Sequence, residues 1–233
     1  MSASRHVRQD YFFESERRSR ARGRAWILAL AIFGLVATHL LDRWFFHAFY
    51  LGPAGAGQVE SKAWYQILRQ AGDVRAWIIV SLAIGAHAFW RAYGGSGQRL
   101  RLGGVIAITA APMAAGIAAE LFRMILARER PMAGGEYHDH AWRGLFAGVY
   151  SGGRWFDLGE LGLPSSHAAV AMAGAVACAR AFPGTGWVLV PVAIGCSWTR
   201  MATGRHYASD VFLGMIIGWA AGAILASFLR RIR

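Results

Sequence analysis

Long apolar runs organise the chain. Three of them, Ala25–Leu41, Leu102–Phe122 and Val211–Leu229, approach the roughly 20 residues that carry a helix across a bilayer. Three shorter or more interrupted runs, Ala76–Trp90, Pro164–Phe182 and Trp187–Trp198, are each expected to gain a turn from their flanks. The pattern predicts an all-α polytopic membrane protein, about six transmembrane helices in one bundle. Between the first two runs, Tyr50–Val74 is rich in glycine and then amphipathic through Trp64, Ile67 and Leu68, which suits a segment on the outer surface. The last run carries Gly214, Gly218 and Gly222 at four-residue spacing, a small-residue face for close helix packing.

Composition agrees with this class. Hydrophobic residues make up 55% of the 233 and charged residues only 16%, against roughly a quarter in a soluble domain, which excludes a disordered chain. The two cysteines, Cys178 and Cys196, lie inside apolar runs, which argues against a disulfide framework or a cysteine-ligated metal. The net charge of +12 is unevenly placed. With the N-terminus inside and six crossings, the inner segments hold 14 arginines (5, 8, 17, 18, 20, 22, 24, 91, 99, 101, 180, 230, 231 and 233) against three acids. That bias favours both termini in the cytoplasm. It divides the chain into a basic cytoplasmic segment, 1–24, and a membrane domain, 25–233. The charge reads as a topology signal and an anchor to anionic lipid; no nucleic-acid recognition motif accompanies it. The first apolar run exceeds a signal-peptide core of about 7–15 residues and leads into Asp42, Arg43, Trp44, Phe45 and Phe46, an interfacial belt, so it is read as a retained anchor.

Charges at the ends of spans are costly and usually functional. They fall into three groups: Arg123 through Arg130 and Pro131 after the third span, Pro164 to His167 opening the fourth, and Thr199 to Asp210 joining the fifth and sixth. The predicted topology puts all three on the outer face. Arginines from separate segments, without matching carboxylates, look like a phosphate clamp, because guanidinium presents a planar donor fork to phosphate oxygens. Pro164 is placed at the first position of a helix, with Ser165, Ser166 and the free backbone N–H groups behind it forming an anion cradle. His206 and Asp210, four apart at a helix start, share a face, so the carboxylate orients the imidazole and makes its other nitrogen a better nucleophile. His167 supplies a second imidazole for general acid work.

These groups resemble the signature of the type 2 phosphatidic acid phosphatase family, relatives of the vanadium haloperoxidases: Lys-x6-Arg-Pro, Pro-Ser-Gly-His and Ser-Arg-x5-His-x3-Asp. Arg123, Arg130 and Pro131 match the first with arginine for lysine; Pro164, Ser165, Ser166 and His167 match the second with serine for glycine. Thr199, Arg200, His206 and Asp210 match the third with threonine for serine. Serine at 166 is expected to be tolerated if that residue has an ordinary helical φ. The resemblance implies a phosphatase that needs no metal or other cofactor and works through a phosphohistidine. His206 is the implied nucleophile, Asp210 its orienting group and His167 the acid and then base. Arg123, Arg130, Arg200, Ser165 and Ser166 are implied to hold the phosphoryl oxygens.

Other polar residues are read more plainly. His138 and His140, with Glu136 and Asp139, are taken as a solvated loop instead of a metal cluster, and Glu120 as a partner for Arg123 or a group in a hydrated crevice. The stretch Met132–Leu163 is long for a connector and is expected to shape the substrate entrance, with Arg143, Arg154 and Trp155 near a headgroup. The expected partners are a lipid phosphate substrate and membrane lipids. Phosphatidate, phosphatidylglycerol phosphate, an isoprenyl diphosphate and a lipid A type glycolipid all remain open, as does oligomeric state. The expected home is a bacterial inner membrane with the site facing the periplasm, or else the endoplasmic reticulum with the site in the lumen. A phosphotransferase of the same family and a non-enzymatic lipid-binding protein are the alternative functions.

Overall fold

The computed structural model describes residues 3–93, 102–151, 154–156 and 158–229. The inner-segment arginines 99, 101, 230, 231 and 233 lie outside the described residues, as do the side chains of Arg154 and Trp155. The chain forms two compact units, Met1–Ala37 and Thr38–Arg233. The first consists of a single helix, α1 (Ala3–Leu40), whose last turn belongs to the second unit. Its Glu16–Leu40 part is long and apolar enough to cross a membrane.

The second unit begins with three short helices, α2 (Asp42–Phe49), α3 (Gly52–Glu60) and α4 (Ala63–Gln70). The last two, α3 and α4, fill the glycine-rich and then amphipathic stretch Tyr50–Val74. Longer helices follow: α5 (Val74–Tyr93), α6 (Leu102–Leu126), α7 (Ser166–Ala181), α8 (Gly186–Ala202) and α9 (Ala208–Leu229). Two-residue strands β1 (Tyr150–Ser151) and β2 (Arg154–Trp155) pair antiparallel in the long loop, Tyr150 opposite Trp155.

Helices stand at each of the six predicted places. Besides α1, α6 and α9 are long and apolar enough to span, and α4 with α5 passes as one pair broken by a 76° bend. At 16 and 17 residues, α7 and α8 are at or below the lower limit of a membrane helix. The structure therefore holds three or four helices with the length and apolarity of a span, fewer than the six expected.

Helix α7 is the centre of the bundle, packed by α6, α8 and α9. Alanine and glycine make up just over half of its sequence, and Ala168 through Cys178 are buried. Without long side chains, neighbouring backbones can approach closely, as membrane helix pairs require. A Cβ on Gly214, Gly218 or Gly222 would sit 2.4, 2.2 or 2.8 Å from the carbonyl oxygens of Ser165, Ala169 and Ala173. On the opposite side, Gly174 makes room for the indole of Trp77. The bundle thereby brings the C-terminal ends of α6 and α8, the N-terminal ends of α7 and α9, and the α4–α5 bend to one end.

Candidate active site

That end collects the three polar groups. Arg123, in the last turn of α6, is buried and tightly held. It donates to Glu120 (Nη1 to Oε2, 2.9 Å), to the Pro164 carbonyl and to Ser166 Oγ (both from Nη2, 3.1 Å). Of the two readings for Glu120, the structure takes the ion pair. Ser165 caps α7, its Oγ accepting from Ala168 N at 3.5 Å and its own N–H donating to the Asp210 carbonyl at 2.9 Å. Pro164 therefore precedes the cap instead of occupying the first helical position. Ser166 is the first helical residue and has no positive φ, so serine fits where the family pattern has glycine. Ser165 is fully buried and its hydroxyl oxygen is engaged as the cap; the N–H groups of Ser166 and His167 stand at the positive end of α7.

His206 lies in the turn before α9, not inside it, and is 2% exposed. Its Nδ1 is 3.6 Å from Asp210 Oδ2, the expected pairing at a distance longer than a hydrogen bond. Burial holds the His206 imidazole well below its ordinary pKa of 6.5, reinforced by the nearby charges of Arg200, Arg130, Arg123 and His167. Arg130 donates from Nε to the Leu161 carbonyl at 3.0 Å; burial and the neighbouring arginines bring it down to about 10, so it stays cationic at neutral pH. Arg200 is buried near the end of α8. The Nε groups of Arg123 and Arg200 and the Nδ1 of His206 are buried without hydrogen-bond partners among the described residues. The two guanidinium donors suit a phosphoryl group, while Nδ1 faces Asp210. His167 packs over Gly72 at the α4–α5 bend, where a Cβ would come within 2.8 Å of the histidine Cβ and 2.9 Å of its Cδ2.

Sequence reasoning missed the group that holds Asp210. Arg128 is fully buried and forks between two carboxylates: Nη1 donates to Asp210 Oδ1 (3.1 Å) and Ser209 Oγ (2.6 Å), Nη2 to Asp42 Oδ2 (2.8 Å). Asp42, placed in the interfacial belt by its sequence, is also fully buried and accepts from the Ser209 N–H at 2.8 Å and from its hydroxyl. The Arg128 guanidinium lies 4.2 Å from the Tyr207 ring centroid, a cation–π contact. Tyr207 donates to the His138 carbonyl and accepts from the His140 N–H at 3.2 Å, tying the long loop to the turn that carries His206. The only signals in the sequence were an arginine between Arg123 and Arg130 and an acid just past the first apolar run.

His140 is not grouped with Glu136 and His138. It stacks on His39 with centroids 5.0 Å apart, and its Nε2 is 3.4 Å from Asp42 Oδ2, while His39 Nδ1 is 3.5 Å from the same oxygen. These three could by geometry hold a metal ion. The chemistry is less favourable, because that oxygen already accepts from Arg128 and Ser209 and a guanidinium beside it repels a second cation. Arg143, expected near a headgroup, donates from Nε to Glu129 Oε1 at 2.7 Å.

A family model described as PAP2 superfamily matches residues 101–233, which contain all three motif groups. No curated protein and no solved structure matches the chain.

Proposed function

The chain belongs to the PAP2 superfamily, whose members are phosphatases, and from that premise we propose that it is an integral membrane phosphatase that hydrolyses a lipid phosphate or diphosphate through a phosphohistidine at His206, without metal. The observation that supports this most is that Arg123, Arg130, Arg200 and His167 all lie close enough to bear on the imidazole of the buried His206, whose Nδ1 faces Asp210.

Asp210 faces Nδ1, so the proton belongs there and Nε2 carries the lone pair. Nε2 attacks phosphorus in line, the N–P bond forms, and the P–O bond to the lipid breaks as His167 gives its proton to the departing oxygen. In the second half His167 takes a proton from water, whose oxygen attacks phosphorus and releases Nε2. The arginines, Ser166 and the N–H groups opening α7 stabilise the equatorial oxygens, which is most of what phosphoryl transfer needs. Ser165 contributes by capping α7. The long His206–Asp210 approach is of the kind that tightens once substrate is bound.

In the membrane, six crossings with both termini in the cytoplasm give the site an outward-facing, periplasmic position in a bacterial inner membrane. The bent α4–α5 pair counts as one crossing, and α7 and α8 cross inside the bundle. The test is phosphate release from a panel of purified lipid phosphates in detergent. His206→Ala is expected to lose at least about 10³-fold in kcat while unfolding at the wild-type temperature. Vanadate is expected to inhibit and chelators to have no effect. Undiminished turnover in the variant would refute the assignment, and chelator inhibition reversed by zinc would refute its metal-free part.

A further inference from the structure

Beside the phosphoryl cradle lies a cavity of about 290 Å³, lined by Glu60, Tyr65, Gln66, Arg69, Arg200 and Arg205. It is small for a ligand pocket and polar, so it suits a headgroup and not an acyl chain. Arg200 belongs to both places, since it also acts on His206 and His167. Arg69, from α4, and Arg205, next to His206, both lie within electrostatic range of Arg200. Neither guanidinium has a hydrogen-bond or ion-pair partner among the described residues, unlike Arg123, Arg128 and Arg143. The Tyr65 hydroxyl is buried and without a partner, on a residue only 1% exposed. Three guanidiniums against the single carboxylate of Glu60 make the cavity cationic. The site described above uses Arg200 alone of these groups, so the remaining positive charge and the spare phenol donor are left for another anion.

We propose that this cavity is a subsite for a second anionic group, so that the preferred substrates are lipids carrying a diphosphate, or a second phosphate ester, beside the scissile phosphate. The proposal rests on the phosphatase reading and narrows it. The scissile phosphoryl group sits against His206, Arg123 and Arg130. The second group lies between Arg69 and Arg205, takes the Tyr65 hydroxyl as donor and shares Arg200 with the first. In a diphosphate that second group is also the leaving group, and the cations that bind it hold its charge as the P–O bond breaks.

The experiment measures kcat/KM of the full chain, in a neutral detergent, on the monophosphate and the diphosphate of one polyprenol. Wild type, Arg69→Gln, Arg205→Gln and Tyr65→Phe are compared, with inorganic phosphate and pyrophosphate as inhibitors. Loss of one charge-assisted contact is expected to lower kcat/KM on the diphosphate about 10-fold more than on the monophosphate. It is also expected to weaken pyrophosphate inhibition, but not phosphate inhibition, by a similar factor. Arg69→Lys should recover part of the loss. Equal losses on both substrates would overturn the proposal, because the arginines would then only supply a general field. No loss would overturn it as well, and so would an effect seen only in vesicles containing anionic lipid, which would assign Arg69 and Arg205 to neighbouring lipids. If wild type hydrolyses neither substrate nor any lipid phosphate of the panel above, the phosphatase reading fails by itself. Pyrophosphate stabilisation against heat, lost in Arg69→Gln, would still support the subsite, and equal stabilisation in wild type and variant would overturn it.

Discussion

Replacing Arg128 with glutamine tests whether the buried charge triad holds the site together. Arg128, Asp42 and Asp210 are all 0% exposed, and the guanidinium lies between the two carboxylates at 2.8 and 3.1 Å. Removing it leaves two acids facing each other across Ser209 without the cation that bridges them. Breaking a buried pair in this way costs about 3–5 kcal/mol, most of it from the stranded charges. At roughly 2–4 °C per kcal/mol for a domain of this size, the unfolding temperature should fall by about 6–20 °C. Activity should fall about 100-fold or more, since Asp210 loses the anchor on Oδ1 that aims Oδ2 at His206. The assay is thermal unfolding in detergent alongside phosphate release. Asp42→Asn in the same chain should restore part of the stability, because it removes one stranded charge. Arg128→Lys should fall between wild type and Arg128→Gln, as an ammonium cannot fork to both acids. An Arg128→Gln protein that melts within about 2 °C of wild type, with unchanged activity, would refute the reasoning.

Three further outcomes are expected. Burial keeps the His206 imidazole unprotonated below its ordinary 6.5, and burial together with the Arg128 charge does the same to His140. The unfolded chain therefore binds more protons, and stability should decline as pH falls below about 6.5; His206→Gln should flatten that slope, and an unaltered slope in melting curves from pH 7.5 to 5 would contradict the account. Gly72→Ala places a methyl group 2.8–2.9 Å from His167 and 3.0 Å from Cys196 Sγ, so kcat should drop about 10- to 100-fold with a small change in melting; undisturbed kinetics would show that His167 is not held there. Gly218→Val puts its Cβ 2.2 Å from the Ala169 carbonyl oxygen, and overpacking of this kind should cost about 1–3 kcal/mol or more, read as a lowered unfolding temperature and reduced yield.

The parts of the molecule legible in the sequence were those with a short-range signal. Apolar runs mark the places of the long helices, the spacing of Gly214, Gly218 and Gly222 marks the face that receives α7, and each motif places its residues at a helix end. The pairing of His206 with Asp210 follows from a separation of four, although His206 proves to precede the helix. The Arg128–Asp42 pair was illegible because its partners lie 86 positions apart and each had a plausible local role. Asp42 looked like one more polar residue in an aromatic belt, and Arg128 like an unassigned member of a basic run. His140 was grouped with its sequence neighbours, while the fold stacks it on His39 from the start of the unit. Nor do local patterns show that Tyr50–Val74 would fold into two short helices, α3 and α4, and bring Tyr65, Arg69 and Gly72 to the site. Their register depends on packing against α8 and α7, a tertiary constraint.

The glycine seam of α9 bears on how such a protein can diversify. Where the glycines of α9 face the carbonyls of α7 at 2.2–2.8 Å from a Cβ position, no side chain can be introduced on that face without pushing the two helices apart. The separation between the start of α7 and the His206 turn thus behaves like a machined gauge, set by the backbones themselves. Differences in substrate choice are then expected at the rim, in α3, α4 and the Met132–Leu163 excursion, and not at the seam between α7 and α9.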